Sequence, residues 1–371
     1  MCLYKLMTLG IFLTALSVAY SFSKFAISKR LSSFPNRHTS TWRRQRLPTI
    51  TMQTDASTSS CPIREDRIEL SNGLSMQVLS SAPEKRLFQP NDNKPVLLFL
   101  HGSFHAAWCW TEHYFDYFTS KGYTVVAPSW RGTGGTFAGE GVKKVKISEH
   151  VEDLRNVLNQ LPTIVGQTQP VQPVVVAHSF GGLAVMKLLE LDHAEKPFRG
   201  VVTMCSVPPS GNGKMTMRFL RRSLSASYKI TVGFAMKKCT TNKALCRELF
   251  FGGNEEESGI SDEELERYQQ YFNRDTVATI DLLDLAKQLP SARTDPSRGT
   301  ALFAASLPPC LVMGAENDFI VDREGLEETA LYFGIESGPL VVDSPHDVML
   351  GAKWRNAADA LEKWVSETIC S

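Results

Sequence analysis

Val174-Val175-Val176-Ala177-His178-Ser179-Phe180-Gly181-Gly182-Leu183 reads as a strand that turns directly into a helix. The consecutive valines are β-branched and apolar without alternation, as in strands buried on both faces. The run ends in small-x-Ser-x-Gly, and a helical pattern follows at once. A serine at such a junction occupies a strained turn that lifts its hydroxyl above the sheet, and small neighbours let the flanking backbones pass close together. The same turn places the N–H of Phe180 at a helix N-terminus, where partial positive charge can stabilise an oxyanion. Ser179 is therefore the candidate nucleophile and the Phe180 amide a candidate oxyanion donor. Ala177 stands where the pattern more often has glycine. Five residues alone recur by chance; the flanking strand and helix give the pattern its weight.

Upstream, Leu98-Phe99-Leu100-His101-Gly102-Ser103-Phe104 is a second apolar run, ending in His-Gly where another oxyanion donor belongs. That donor is a backbone N–H, that of Ser103 or, as the alternative, of Phe104. His101 reads as a structural hydrogen-bonding residue, and Phe104 and Trp108 as candidate substrate contacts. Downstream, Val312-Met313-Gly314-Ala315-Glu316-Asn317-Asp318 is a strand followed by a loop that offers a carboxylate. Ser344-Pro345-His346-Asp347-Val348 follows the last expected strand. His346 is the only histidine after His193, which leaves it without a rival as the base for Ser179. A carboxylate must hold its other ring nitrogen and stabilise the imidazolium. Asp318 is favoured by its place in the loop after the strand, with Glu316, Asp322, Asp343 and Asp347 as rivals.

Around these motifs, short apolar runs at Val96 to Leu100, Tyr123 to Ala127, Val171 to Ala177, Val201 to Cys205 and Cys310 to Met313 are expected strands of a parallel sheet. A hairpin should precede them between Cys61 and Ala82, turning at Ser71-Asn72-Gly73, with a polar connector from Pro83 to Lys94. Between strands lie helical patterns, one capped by Ser148 with Val151, Leu154, Leu158 and Leu161 on its buried face. Leu340 to Val342 is the last strand, and a helix carrying Trp354, Ala358, Leu361 and Val365 closes the chain. The alternation makes this an α/β fold. The core is expected over 61–207 and 299–371, with a helical cap over 208–298 where strand patterns stop. In the cap, Ser261 and Glu264 form a capping box, and Val277, Ile280 and Leu283 recur at helical spacing. Its Met- and Phe-rich stretch, Met215 to Met236, is either a binding surface for an apolar chain or simply the cap's own core.

The first acidic residue of the 371 is Asp55, and eight of the 40 Lys/Arg precede it. The remaining 32 bases face 39 acids, so the body of the chain is mildly acidic and has no electrostatic reason to seek nucleic acid. Residues 1–21 fit a signal peptide, since the apolar run Leu6 to Ala19 is too short to span a bilayer. Residues 22–60 are rich in Ser, Thr and Arg and read as a transit peptide beginning at Phe22. This order resembles the two-part leader of plastids enclosed by extra membranes. Secretion, the endomembrane system or a type II anchor are the alternatives, and the mature protein is not expected to span a membrane. The eight cysteines show no CxxC or CxxH spacing, so no zinc site is expected; Cys239 and Cys246 lie close enough in sequence to pair locally.

Taken together, His101-Gly102 with Trp108-Cys109-Trp110, Arg131-Gly132-Thr133-Gly134-Gly135, Ala177 to Gly182, Gly314 to Asp318 and Pro345-His346-Asp347 resemble the α/β-hydrolase family of serine esterases and lipases. The chain order Ser…Asp…His is that of this family. The resemblance covers about Arg67 to Val365. It implies an eight-stranded, mostly parallel sheet flanked by helices, with a helical cap inserted after strand six. It also implies cleavage of a carboxylic ester, lipid or other apolar esters foremost, through an acyl-enzyme without metal or organic cofactor. The stretch from His101 to Trp110 is similar to that of plant methylesterases and hydroxynitrile lyases, so a lyase is an alternative, as is a small-ligand receptor on the same scaffold. One departure is that the family's usual Arg-Gly-x-Gly-x-Ser loop ends here in Thr133-Gly134-Gly135-Thr136, with threonine in place of the serine.

Overall fold

Four strands whose every residue is buried form the centre of the sheet: β3 (Leu97–Leu100), β4 (Val125–Pro128), β6 (Val174–His178) and β7 (Gly200–Met204). The computed structural model describes residues 61–83 and 94–371. The hairpin β1 (Arg64–Glu69) and β2 (Ser75–Ser81) flanks one side, and β9 (Cys310–Asn317) and β10 (Leu340–Pro345) the other. The order is β1-β2-β4-β3-β6-β7-β9-β10. Only the β1–β2 and β2–β4 pairings are antiparallel. This is the α/β fold with an eight-stranded, mostly parallel sheet.

Among the described residues, twelve α-helices accompany the strands: α1 (Trp108–Thr111), α2 (Tyr114–Ser120), α3 (Ile147–Ile164), α4 (Phe180–Asp192), α5 (Asn212–Arg222), α6 (Leu224–Ile230), α7 (Lys243–Cys246), α8 (Glu255–Ser258), α9 (Asp262–Arg274), α10 (Leu282–Leu285), α11 (Arg323–Tyr332) and α12 (Trp354–Trp364). Helices α3 and α4 cover one face of the sheet through Val151, Leu154, Leu183 and Leu188. Phe115, Phe118, Ala358 and Leu361 of α2 and α12 cover the other. Because β3, β6, β7, β9 and β10 are consecutive and parallel, the loops at their C-terminal ends converge. Those loops begin at His101, Ser179, Cys205, Asp318 and His346, and the crevice outside such strand ends is where open α/β sheets bind ligands.

From α5 to α10 the chain forms the helical cap between β7 and β9. The Ser261–Glu264 capping box forms as expected. Two local expectations are corrected. Helix α3 begins at Ile147, with Glu149 accepting from the Lys146 N–H, so Ser148 lies inside the first turn. The helix expected through Val277, Ile280 and Leu283 is instead a strand, β8 (Thr279–Ile280), paired in parallel with β5 (Lys144–Val145). Val277, Thr279 and Ile280 are β-branched and favour extension. Asp281 then caps the short α10, accepting from the N–H groups of Leu283 and Asp284. Cys239 and Cys246 are both free buried thiols. Among the described residues no helix is long and apolar enough to cross a membrane. The expected signal and transit segments lie outside them.

The cap is tied to the core by buried charge. Asp275, fully buried, accepts from Trp108 Nε1 (2.9 Å), the Gly134 N–H (2.8 Å) and the Arg274 guanidinium (2.7 and 2.8 Å). Arg218 of α5 reaches Asp322 at 2.6 Å through two nitrogens, and Arg267 of α9 reaches Glu112 at 3.0 and 2.8 Å. Asp275→Ala removes one acceptor from three donors at once. It should cost about 2–4 kcal/mol, read as a drop in the thermal midpoint. An unchanged midpoint would show that the cap holds without this anchor.

Candidate active site

Ser179 stands between β6 and α4 with φ 51° and ψ −120°, a strained conformation for a residue with a side chain. The elbow is held by its own backbone: the Ser179 N–H donates to the Met204 carbonyl at 2.9 Å, and its carbonyl accepts from Gly182 at 3.1 Å. Space around it is tight. A Cβ on Gly102 would lie 2.7 Å from Ser179 Cβ, and one on Gly182 would lie 2.0 Å from Ser206 Oγ, so both positions need glycine. The first of these distances places the His101–Phe104 loop directly against the serine. Phe180 opens α4, where the leading N–H groups have no partner within the helix. Phe104 has φ 70°, so the loop carrying the second candidate donor is also strained.

Asp318 and His346 meet at the next strand ends. His346 Nδ1 lies 2.9 Å from both carboxylate oxygens of Asp318, with the two side chains 2% and 1% exposed. Asp318 also accepts from the N–H groups of Ile320 (2.8 Å) and Val321 (2.9 Å), which fixes the carboxylate's orientation. The Cys205 thiol, just after β7, lies within 4.8 Å of the same carboxylate, and burial together with the Asp318 charge pushes the thiol's pKa well up. Burial alone would lower the His346 pKa. The charge and hydrogen bond of Asp318, reinforced by the Asp347 charge, instead hold it above the usual histidine value. The rival carboxylates are engaged elsewhere. Asp322 caps α11 and binds Arg218, Asp343 binds Lys353, Asp347 binds His105, and Glu316 is exposed.

Three further histidines are buried, and one of them, His178, has its ring centroid 4.8 Å from that of His346 and feels the charges of His346 and Asp347. Burial pushes His101, His150 and His178 down to about 3, which leaves them neutral. His101 accepts from the Trp130 N–H at 3.0 Å, the structural role expected of it. His178, next to the nucleophile, lies 3.0 Å from the His346 carbonyl through Nε2 and so anchors the histidine loop to the elbow. Among the described residues, two groups bring three possible metal donors within 4.8 Å of one another, His178–His346–Asp347 and Cys205–Asp318–His346. Both include His346, whose Nδ1 is already engaged by Asp318.

A cavity of about 50 Å³ adjoins the elbow. The His101–Phe104 loop, Trp130, Arg131, Thr133, His150, Phe180 and, from the cap side, Asp275, Thr276, Ala278, Thr279 and Ile280 line it. Phe104 is in its wall; Trp108 is not among its lining residues. Trp108 instead stacks on Tyr268 of the cap at 5.5 Å and donates to Asp275. The cap's Phe234, Phe250 and Phe272 pack on Phe104 at 5.1, 6.0 and 6.3 Å, filling the space above the sheet as a core would.

Residues 97–358 match the sequence profile of the alpha/beta hydrolase family. The chain belongs to that family. No curated protein matches it in sequence. Among solved structures it is similar to a thermophilic esterase from Thermogutta terrifontis, at 17% identity and a TM-score of 0.55, covering 83% of this chain and 100% of that one. It is also similar to the epoxide hydrolase VrEH1 from Vigna radiata, at 20% identity and a TM-score of 0.54, covering 82% and 98%. Identities this low speak for a shared fold. An esterase and an epoxide hydrolase on that fold leave the choice of reaction to the site itself.

Beyond these residues, the site holds groups that sequence reasoning did not single out: Cys205 on the acid, His178 on the histidine loop, and His105 on Asp347. No local motif marks them, because each acts on a partner far away in the chain.

Proposed function

We propose that this alpha/beta hydrolase cleaves a carboxylic ester of an apolar acid through an acyl-enzyme, with Ser179 as nucleophile, His346 as general base and Asp318 as its orienting acid. The observation that carries this is the buried Asp318–His346 pair at 2.9 Å, together with a serine on a strained strand-to-helix turn whose preceding residue, His178, lies 3.0 Å from the His346 carbonyl. His346 takes the Ser179 proton as the hydroxyl attacks the ester carbonyl, and Asp318 stabilises the imidazolium so formed. The amides of Phe180 and of Ser103, or Phe104 in its place, receive the oxyanion. His346 then returns the proton to the leaving alcohol, and water repeats the sequence on the acyl-enzyme. No step calls for a metal or organic cofactor. A serine at the elbow disfavours epoxide opening, for which the family's nucleophile is an aspartate.

Phe104, Trp130, Phe180, Ala278 and Ile280 give the cavity an apolar side, next to the polar Arg131, Thr133, His150 and Asp275, and that side favours an apolar acyl group. The volume of about 50 Å³ admits a few waters or a short acyl chain with the cap in place, and a lipid chain only if the cap moves. With p-nitrophenyl esters from acetate upward, kcat/KM should rise by up to about fourfold per methylene until the pocket is full, then level off after a few carbons. A rise continuing to octanoate and beyond would show that the cap opens for lipid esters. A flat or falling series from acetate would favour the lyase, whose substrate is small. Binding of an ester ligand with a single slow turnover would favour a receptor.

A further inference from the structure

Behind the Asp318–His346 pair lies a second buried pair of the same chemistry. His105, 1% exposed, and Asp347, 0% exposed, meet at 2.9 Å through Nε2 and one carboxylate oxygen. They are 242 residues apart and belong to two functional loops. His105 ends the segment that carries the candidate oxyanion donors, and its Nδ1 lies 2.9 Å from the Ser103 carbonyl. Asp347 directly follows His346. Both His105 nitrogens therefore face acceptor oxygens, a carbonyl and a carboxylate, an arrangement fully satisfied only when each nitrogen has a proton to donate.

The carboxylate is balanced on one side only. Its other oxygen, Oδ1, is buried with no hydrogen-bond partner and lies 4.0 Å from His178 Nε2, which faces the His346 carbonyl. Ring nitrogens of His346 and His178 and an oxygen of Asp347 fall within 4.8 Å of one another. A buried carboxylate with an unpaired oxygen is costly and calls for an explanation beyond packing. Here the unpaired side is turned towards the histidines, while the paired side grips the oxyanion loop.

We propose that His105 and Asp347 are positioning residues of the Ser179 machinery: the pair ties the oxyanion loop to the loop carrying the general base, and its one-sided charge sets the protonation of His346. The proposal rests on the serine-hydrolase function given above. The other ionisable groups around His346 are Asp318 just after β9, the Cys205 thiol just after β7 and His178 at the end of β6. From the cap side Phe250 presents an apolar ring, 6.4 Å between centroids. Asp347 is thus the carboxylate facing His346 in addition to its own Asp318, and it keeps its charge: burial works against the anion, but the charge and hydrogen bond of His105 outweigh it and hold the pKa below the usual value.

Two substitutions separate this role from simple packing. Asp347→Asn keeps the shape and removes the charge, so the acidic limb of kcat/KM should move to lower pH, by about one unit. His105→Gln leaves an uncompensated carboxylate beside His346, so the same limb should move to higher pH. It should also lower kcat by up to about 100-fold with KM little changed, the scale of one displaced oxyanion donor. The pH dependence of fluorophosphonate labelling should follow both shifts, and circular dichroism checks the fold. Should Asp347→Asn fail to fold, Asp347→Ser serves for the same shift. Shifts in the same direction, or limbs unmoved from wild type, overturn the positioning role while leaving the hydrolase function standing. A wild-type enzyme that neither turns over esters nor labels takes both down.

Discussion

Ser179→Ala is expected to abolish ester turnover and fluorophosphonate labelling while the protein stays folded. Deleting the nucleophile of a serine triad costs on the order of 10⁶ in kcat, and what remains comes from the oxyanion donors and binding. The geometry supports an effect of this size. Ser179 is held at φ 51° by backbone hydrogen bonds that alanine can keep, so the loss falls on chemistry and spares the elbow. The hydroxyl is small and the residue 8% exposed, so the change in thermal midpoint should be slight. Labelling that persists in the alanine variant would place the nucleophile elsewhere and remove the basis for the proposed mechanism.

Much of this arrangement is legible in the sequence, for reasons that differ between elements. The central strands are readable because they are buried on both faces. Val201 to Cys205 is expected and Gly200–Met204 is found; Val171 to Ala177 is expected and Val174–His178 is found. The elbow is readable because its motif is contiguous, and Asp318 and His346 because each follows a strand in the right chain order. Val277 to Leu283 is misleading because apolar residues three apart fit one helix, whereas pairing with Lys144–Val145, which no local pattern announces, makes Thr279–Ile280 extended and leaves only Leu283 in a helix, the short α10. The cap's Met and Phe residues have the same ambiguity. Apolar composition cannot distinguish a pocket wall from a packed core, and Phe234, Phe250 and Phe272 closing on Phe104 decide for the core. Pairs such as His105–Asp347 are invisible for a different reason. Only the strand order brings their loops together, and in the sequence Asp347 reads merely as one more carboxylate beside His346.

Asp318→Asn should lower kcat by about 10⁴, the effect of replacing the acid of a comparable triad. The asparagine fills the same space, and its amide can present a donor to His346 Nδ1, which favours the wrong ring tautomer for accepting the Ser179 proton. A second consequence concerns pH. Burial lowers the His346 pKa, and Asp318 supplies the charge and hydrogen bond that outweigh burial. In the wild type, activity should therefore rise with pH through a midpoint above the ordinary histidine value of 6.5, because only the neutral ring can act as base. In Asp318→Asn the stabilising charge is gone while the burial remains, so the residual activity should titrate at distinctly lower pH. Profiles of kcat/KM against pH for the two proteins measure both effects. The rival carboxylates provide the control. Asp322 and Asp343 are engaged with Arg218 and Lys353, and Glu316 is exposed, so Asp322→Asn, Asp343→Asn and Glu316→Gln should leave kcat within a few-fold of wild type. If Asp318→Asn is near wild type and one of these three is not, the orienting acid is that residue, and the 2.9 Å contact between Asp318 and His346 is structural.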